Sequence, residues 1–436
     1  MSAAREVALE VLTTCRKADA WADGTLKSIL RRRQLSRRDG ALAARITYAV
    51  LQNRMLLDYY LDGFCKNGTR DLEPVILDIL RIGACQILLM DKIPHSAAVN
   101  EAVTMAKVHH RAKAAGMVNA VLRNLSRSKT SLTPPEDLSI RYSHPKWLVD
   151  RYVALLGREE AERCLAANNT PVPTTIQRNP LRISGEGLIG ELEAEGIRVE
   201  NHPFLSDCYE ISGTGDLEQC VAFAGGYFMV QDAAARMMTI AAGCRPGQRV
   251  IDVCAAPGGK SFSAAMDMGN RGQITACDIH PHKLRLVERG AERLGITCME
   301  TVLADGREPH EEWFAAADTV LCDVPCSGLG VIRKKPDLRY KDPKALSALP
   351  AIQLAILTNA SRYVRPGGVL VYSTCTILPE ENEGVISAFL SQCGGFRKEP
   401  FALPAPVGET DGEITLWPHR HHTDGFYICK LRKIHD

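Results

Sequence analysis

Apolar residues near the start of the chain recur at the spacing of one buried helix face. Ala4, Val7, Ala8, Val11 and Leu12 form one such stripe, and Leu72, Val75, Ile76, Ile79, Leu80, Gly83 and Ile87 form another. Further helical stretches are predicted over 38–60, 97–110 and 117–125, separated by turn signals at Gly63, Asn67-Gly68 and Pro94. The region to about residue 125 therefore reads as a helical bundle, and 127–135, rich in Ser, Thr and Pro, as a linker. From 145 to about 232 the pattern is mixed, with strand-like 174–177, 197–200 and 227–230 around a helix near 188–195, which predicts a small α+β segment. After Pro246-Gly247, candidate strands 250–254, 274–278, 301–305, 319–323 and 369–372 alternate with helices. Such alternation predicts a doubly wound, mostly parallel α/β sheet.

In that architecture ligands bind beyond the carboxyl ends of the strands. The residues closing them are Cys254, Asp278, Asp305, Asp323 and Cys375. An aspartate there can accept hydrogen bonds from ribose hydroxyls or an adenine amine, or simply cap the next helix. For any one aspartate the two readings are equal; several on one sheet edge favour a site.

Composition bounds the rest. At 436 residues, 45% hydrophobic and 24% charged, the chain has room for two to three domains. Residues 1–20 mix charges into an amphipathic helix, and no apolar run is long enough to span a bilayer, so a cytoplasmic location without a membrane partner is expected. Fifteen cysteines, irregularly spaced and without a Cys-x-x-Cys pair, speak against a disulfide framework or a structural zinc. His419, His421, His422 and Cys429 show no ligand spacing, and no metal is expected. The net charge of +2 hides a segregation: residues 1–130 carry +9 and the remainder −7, with Arg31, Arg32, Arg33, Arg37 and Arg38 concentrated together. Charge alone leaves an RNA-binding surface and a solvated helix face equally open.

The loop Cys254-Ala255-Ala256-Pro257-Gly258-Gly259-Lys260 needs its glycines for close backbone approach to a ligand. It is not a P-loop, which has glycine where Cys254 stands and no proline removing a donor at 257, nor does it contain the Gly-x-Gly-x-x-Gly of a dehydrogenase. Two cysteines stand beside it: Cys326 in Asp323-Val324-Pro325-Cys326 and Cys375 in Ser373-Thr374-Cys375. Both have a packing reading, the commoner fate of cysteine in apolar strands. At strand ends next to a nucleotide loop, they read as a nucleophile and its helper in covalent chemistry on a base.

With these motifs, Pro379-Glu380-Glu381-Asn382-Glu383 and Asp424-Gly425-Phe426, the chain resembles the RNA 5-methylcytosine methyltransferases, and the run Ser327 to Val331 with Ile332-Arg333-Lys334-Lys335-Pro336-Asp337 resembles their bacterial Sun/Fmu group. The resemblance implies an all-α NusB-like domain over 1–130, a linker and small RRM-like α+β segment over 131–235, and a Rossmann-like S-adenosyl-L-methionine-dependent domain over 236–436. It further implies that Cys375 is the nucleophile, that Cys326 assists product release, and that Cys254, Ala255, Ala256, Pro257, Gly258, Gly259, Lys260, Asp278, Asp305 and Asp323 line the cofactor pocket. Arg178-Asn179 matches a family motif near the substrate, and the expected partner is small-subunit ribosomal RNA, bound by a monomer. Ala233-Ala234-Ala235 departs from the serine of many relatives, and no role is assigned there.

Chemistry asks for these residue types independently. Carbon 5 of cytosine is too weak a nucleophile to take a methyl group from a sulfonium until a thiolate adds to carbon 6. Cys375 would supply that thiolate, a carboxyl such as Asp323 would face the N3 edge, and Cys326, or a water it positions, would help remove the carbon 5 proton. Free cysteine titrates near ~8.5, so Cys375 needs a cation or donors; Lys260 can contribute, or be a solvated helix-start lysine. The target cytosine must be single-stranded or flipped out. Arg333, Lys334, Lys335 and Arg339 are candidate RNA contacts or a solvated loop. The rival readings are a non-catalytic RNA-binding or antitermination factor and a DNA cytosine methyltransferase.

Overall fold

Successive residues along the central strands face opposite sides of one sheet in a computed structural model that describes residues 2–18 and 20–434. The chain forms two compact units, Pro171–Val331 with Asp342–Asp436, and Met1–Thr170 with Ile332–Lys341. Among the described residues no helix is long and apolar enough to cross a membrane.

In the larger unit, β1 (Thr174–Arg178), β2 (Arg198–Asn201), β3 (Cys208–Ser212) and β4 (Phe228–Val230) form a small antiparallel sheet in the order β2-β3-β1-β4. Ile176, Tyr209, Ile211 and Phe228 pack beneath the helix Gly185–Ala194 through Leu188 and Leu192. The main sheet begins with β5 (Arg249–Asp252), β6 (Gln273–Asp278), β7 (Met299–Leu303), β8 (Ala317–Asp323) and β9 (Val364–Thr374). It continues with β10 (Phe396–Lys398), and after the separate hairpin β11 (Phe401–Leu403) and β12 (Gly408–Thr410) it takes in β13 (Glu413–Leu416) and β14 (Phe426–Lys433). Its order is β10-β14-β9-β8-β5-β6-β7, with β13 also on β14. The pairs β5–β6, β5–β8, β6–β7 and β8–β9 are parallel, and β14 runs antiparallel to β9.

Period-two alternation builds this sandwich. Val250, Leu321 and Val371 face one side with Met237, Phe262 and Val287, and Ile251, Val320 and Leu370 face the other with Ile356, Tyr363 and Phe389. Chain order reverses at β5, flanked by β6 and β8, so the carboxyl ends of β5, β8 and β9 open side by side at the switch point. The strands expected over 250–254 and 301–305 lie slightly earlier, at β5 and β7. Their carboxyl-end residues therefore belong to the loops, free to face a ligand. The small sheet is docked by Asn179, whose amide donates to Gly226 O and Leu294 O, both at 2.8 Å, and by Arg293, which donates to Phe223 O and Phe228 O at 2.7 and 3.0 Å.

In the smaller unit the expected helices appear as Ala3–Ala18, Pro74–Leu89, His95–Val108 and Ala115–Ser128. The stretch expected over 38–60 is two helices, Arg37–Gln52 and Arg54–Asp62, broken where Asn53 leaves helical geometry (φ −118°, ψ 20°). Gly83 lets Pro74–Leu89 meet Ala115–Ser128, since a Cβ there would stand 2.4 Å from Leu122 Cδ1. Residues from 145 to 170, read as the start of a mixed segment, are instead the helices Lys146–Leu156 and Arg158–Ala167. One further helix, Ala22–Arg33, has no side-chain cap at Trp21, and Asp337 Oδ2 accepts from Ala22 N–H at 2.9 Å instead.

Asp337 belongs to the strap Ile332–Lys341, whose centre is Arg339. Its guanidinium is fully buried and donates to Gln52 O (2.9 Å), Ser143 O (3.1 Å) and Asn169 Oδ1 (3.0 Å), with longer contacts to Tyr142 O and Asn168 O. Gln52 and Asn168 stand at the C-terminal ends of Arg37–Gln52 and Arg158–Ala167. The cation thus sits among carbonyls at the negative ends of two helices. Burial lowers its pKa to about 10, still far above neutrality. Arg339→Met is expected to destabilise this unit by about 3 kcal/mol, because several buried carbonyls lose their donor. Denaturant unfolding with hydrogen exchange at the ends of Arg37–Gln52 and Arg158–Ala167 checks it, and Arg339→Lys should recover only part of the loss.

Candidate active site at the strand ends

Asp252 closes β5 and is 1% exposed. Its Oδ2 accepts from Ser261 Oγ at 2.6 Å and its Oδ1 from Cys254 N–H at 3.4 Å, which ties the start of the loop to the helix Gly259–Asp267 behind it. Gly258 caps that helix at φ +108°, and a Cβ there would lie 2.3 Å from Phe262 Cζ, so only glycine fits. No side chain caps the helix, leaving its first amides to the loop's open side. The Cys254 thiol is pushed well up by burial, then by Cys322 and the neighbouring carboxylates, and stays protonated.

Asp278 ends β6, buried, with Oδ1 accepting from His280 N–H at 2.9 Å. No described residue donates to its Oδ2, so one oxygen is open for a hydroxyl donor. Asp305 follows β7 and is engaged by Arg307, whose Nη2 lies 2.5 Å from Oδ2 and whose side chain lowers the Asp305 pKa. An uncapped helix start, a glycine turn and an open buried carboxylate along adjacent strand ends fit an adenosine-type cofactor. Among the described residues no cluster of three or more His, Cys, Asp or Glu is placed to hold a metal ion.

Beside this edge the paired ends of β8 and β9 bring Cys326 Sγ to 3.2 Å from Cys375 Sγ. All fifteen cysteines are free thiols. Asp323 Oδ2 receives Lys260 Nζ at 2.5 Å and its Oδ1 receives Ser373 Oγ at 2.7 Å. Burial alone would lower the Lys260 pKa, but Asp323, Asp252 and Cys375 more than offset it and hold the ammonium charged. Lys260 is therefore held against Asp323 within electrostatic reach of Cys375, not a solvated lysine. The Cys326 thiol is pushed well above its ordinary range by its contact with Cys375, then by burial, and by Glu381 and Asp323. Either sulfur can be the donor in this contact.

Several supporting residues carried no role in the sequence reading. Glu381 Oε2 accepts from Ser327 N–H at 2.9 Å and from Gln353 Nε2 at 2.8 Å, and Gln353 Nε2 also donates to Pro325 O at 3.0 Å. Thr374 Oγ1 donates to Asn382 Oδ1 at 2.6 Å, and Gly330 N–H to Cys375 O at 2.9 Å. Glu381 and Asn382 stood in a quoted motif, which was the available signal; Gln353 had none.

The substrate-side expectations fare differently. Asn179 is fully buried and its amide is spent docking the small sheet, so it is corrected from a substrate contact to a structural one. Arg178 donates from Nη1 to Ile183 O at 2.8 Å while remaining partly exposed. Arg333 and Lys334 lie on the strap within the helical unit, half-buried and partnered inside the chain, and Arg339 is enclosed by carbonyls. Arg339 is therefore removed from the RNA candidates.

Comparison with known proteins gives three family matches: "16S rRNA methyltransferase RsmB/F" over residues 239–432, "NusB family" over 2–127, and "Methyltr_RsmF/B-like, ferredoxin-like domain" over 144–218. A Bacillus subtilis (strain 168) protein named "Probable ribosomal RNA small subunit methyltransferase B" is 36% identical, covering 98% of each chain. A Klebsiella pneumoniae (strain 342) protein named "Ribosomal RNA small subunit methyltransferase B" is 31% identical, covering 92% of this chain and 91% of its own. The crystal structure of NSun6 from Pyrococcus horikoshii with SFG matches with a TM-score of 0.59 and 26% identity, over 67% of this chain and 99% of its own.

Burial pushes the Asp252 pKa from an ordinary 3.8 up to about 6. The folded protein therefore keeps a proton there that the unfolded chain loses first, so this group's contribution favours folding at low pH and is lost as pH rises through about 6. Asp252→Asn, which can still accept from Ser261, is expected to abolish that dependence and to be more stable than the wild type at pH 8 by roughly 1–3 kcal/mol. Unfolding curves at pH 5 and pH 8 check it; an unchanged pH dependence would contradict the assignment.

Proposed function

Because the chain belongs to the RsmB/F family of 16S ribosomal RNA methyltransferases, we propose that it methylates carbon 5 of a cytosine in small-subunit ribosomal RNA through a covalent bond from Cys375 to carbon 6. The cofactor is S-adenosylmethionine, consistent with the analogue SFG in a structural neighbour. When bound, it supplies an electrophilic methyl group on a sulfonium. The loop 254–260, Asp278, Asp305 and Asp323 would hold it, with Asp278 Oδ2 as the open acceptor.

The observation that carries the reading is the 3.2 Å sulfur pair beside the charged Lys260. On this reading Cys375 accepts from Cys326 and lies within the electrostatic reach of an ammonium, the two conditions that favour a thiolate. Its electron pair forms the bond to carbon 6, and the carbon 5–carbon 6 double-bond pair moves onto carbon 5, which then takes the methyl group. Asp323 is the group assigned to the base's N3 edge, with the ammonium of Lys260 held beside it to offset the negative charge that builds on addition. Loss of the carbon 5 proton to water re-forms the double bond and breaks the carbon 6–sulfur bond. The pair returns to Cys375 as thiolate, and the protonated Cys326 assists by donating a hydrogen bond to that departing sulfur.

The attacked base must leave its stack at a cost of roughly a few kcal/mol, so a single-stranded or flipped-out cytosine is the target. The exposed Arg31, Arg32, Arg33, Arg37 and Arg38 on the helical unit supply phosphate contacts. Cys375→Ala is expected to abolish methyl transfer to unmodified small-subunit ribosomal RNA. Cys326→Ala is expected to accumulate a protein–RNA adduct that survives denaturing gels. The adduct with the opposite mutant would reverse the two roles, and no methyl incorporation by folded wild-type protein would favour an RNA-binding factor.

A further inference from the structure

The turn carrying Cys326 is held from behind by a buried carboxylate that has no cation partner among the described residues. Glu381 is 1% exposed. It receives the amide of Ser327, on one side of Cys326, while Gln353 ties Glu381 to the carbonyl of Pro325, on the other side. The Glu381 carbonyl in turn accepts from Tyr372 OH at 2.6 Å, which anchors the support to β9. Glu381 Oε1 and Gln353 Oε1 are both buried acceptors without a donor. Such oxygens raise the cost of any further negative charge close by.

We propose that Glu381, with Gln353, is the positioning residue for Cys326: the pair clamps the turn 325–327, and the Glu381 charge keeps a proton on Cys326 while Cys375 gives one up. This rests on the covalent reading above. The arrangement is polar in the electrical sense. Lys260 lies on the Cys375 side, and Glu381 lies behind Cys326. The other titratable groups facing Cys326 are Tyr372 from β9, Cys375 just after it and Asp323 from β8, with Lys260 facing Asp323 and Cys375 from Gly259–Asp267. The Glu381 charge is among the causes that raise the Cys326 pKa, in keeping with the geometry. Without it, two adjacent sulfurs of similar acidity would share one proton, and the hydrogen-bond donor that helps Cys375 depart would be lost as the pH rises.

The test follows adduct formation and adduct resolution separately on full-length protein, with unmodified small-subunit ribosomal RNA and S-adenosylmethionine. Glu381→Gln keeps an acceptor for Ser327 and removes the charge. Resolution should fail at a pH lower than in the wild type by about one unit, with adduct formation retained. Gln353→Met loosens the turn without removing the charge and should slow resolution roughly five-fold, more than it slows formation, with no shift of the pH profile. A Glu381→Gln profile that overlays the wild type, while Cys326→Ala still traps the adduct, overturns the proposal. If Glu381→Gln does not fold, equal formation and resolution losses in Gln353→Met overturn it. Failure of Cys326→Ala to trap any adduct instead sinks the covalent reading itself.

Discussion

The lateral register of β8 against β9 is the constraint on which the site depends. Asp323 pairs with Ser373 across a parallel ladder, and the same register puts Val324 N–H on Ser373 O at 3.2 Å. The two chains then leave the sheet together, and the cysteines that follow meet at 3.2 Å although they are far apart in sequence. A one-residue slip would turn Asp323 and Ser373 to the other face, which would break the Ser373–Asp323–Lys260 chain as well as the sulfur contact. Core packing enforces the register, because Leu321 and Val371 belong to one apolar layer and Cys322 is opposite Tyr372 in the other.

Given that alignment, charge decides what the sulfurs do. Two thiols in one low-dielectric corner would ordinarily both stay protonated. Lys260, held charged by Asp323, biases the Cys375 side, and Glu381 biases the Cys326 side the other way. On the covalent reading proposed above, the donor–acceptor direction within the pair is set by which of two buried ions stands next to which sulfur.

Much of this was legible in the sequence, and the limits have physical causes. The alternating strands and the longer amphipathic helices carry their own periodicity, so β6 and β8 and the helices Ala3–Ala18 and Pro74–Leu89 were read to within a few residues. Ala22–Arg33 went unread because it buries only Ala22, Leu26 and Ile29 and ends in three arginines. The break at Asn53 and the helices after 145 depend on tertiary contacts that no local window contains. At the candidate site, Cys326, Cys375 and Asp323 are marked by position at or just after strand ends, whereas the sequence leaves Lys260 open between a helper of Cys375 and a solvated lysine. The family resemblance puts Asn179 near the substrate, but a motif match does not tell a side chain that faces a ligand from one that docks a neighbouring element. Gln353 sits on the helix Leu349–Tyr363 with nothing local to mark it, and its role exists only because that helix passes behind the turn at 325–327.

Two buried charges, each without a counter-ion among the described residues, hold the turn 325–327 in the larger unit and the strap Ile332–Lys341 in the smaller one. Glu381 is balanced by the N–H groups of Ser327 and Gln353, and Arg339 by carbonyl oxygens of Gln52 and Ser143 and the side-chain oxygen of Asn169. An ion pair would tolerate rotation of either partner; a charge solvated by fixed backbone dipoles does not, because those dipoles are set by turns and helix ends. An apolar anchor could give comparable stability but would accept several packings, whereas a charge accepts only the arrangement in which its donors or acceptors converge. For the turn that carries Cys326, and separately for the strap, the charged solution fixes geometry as well as burial.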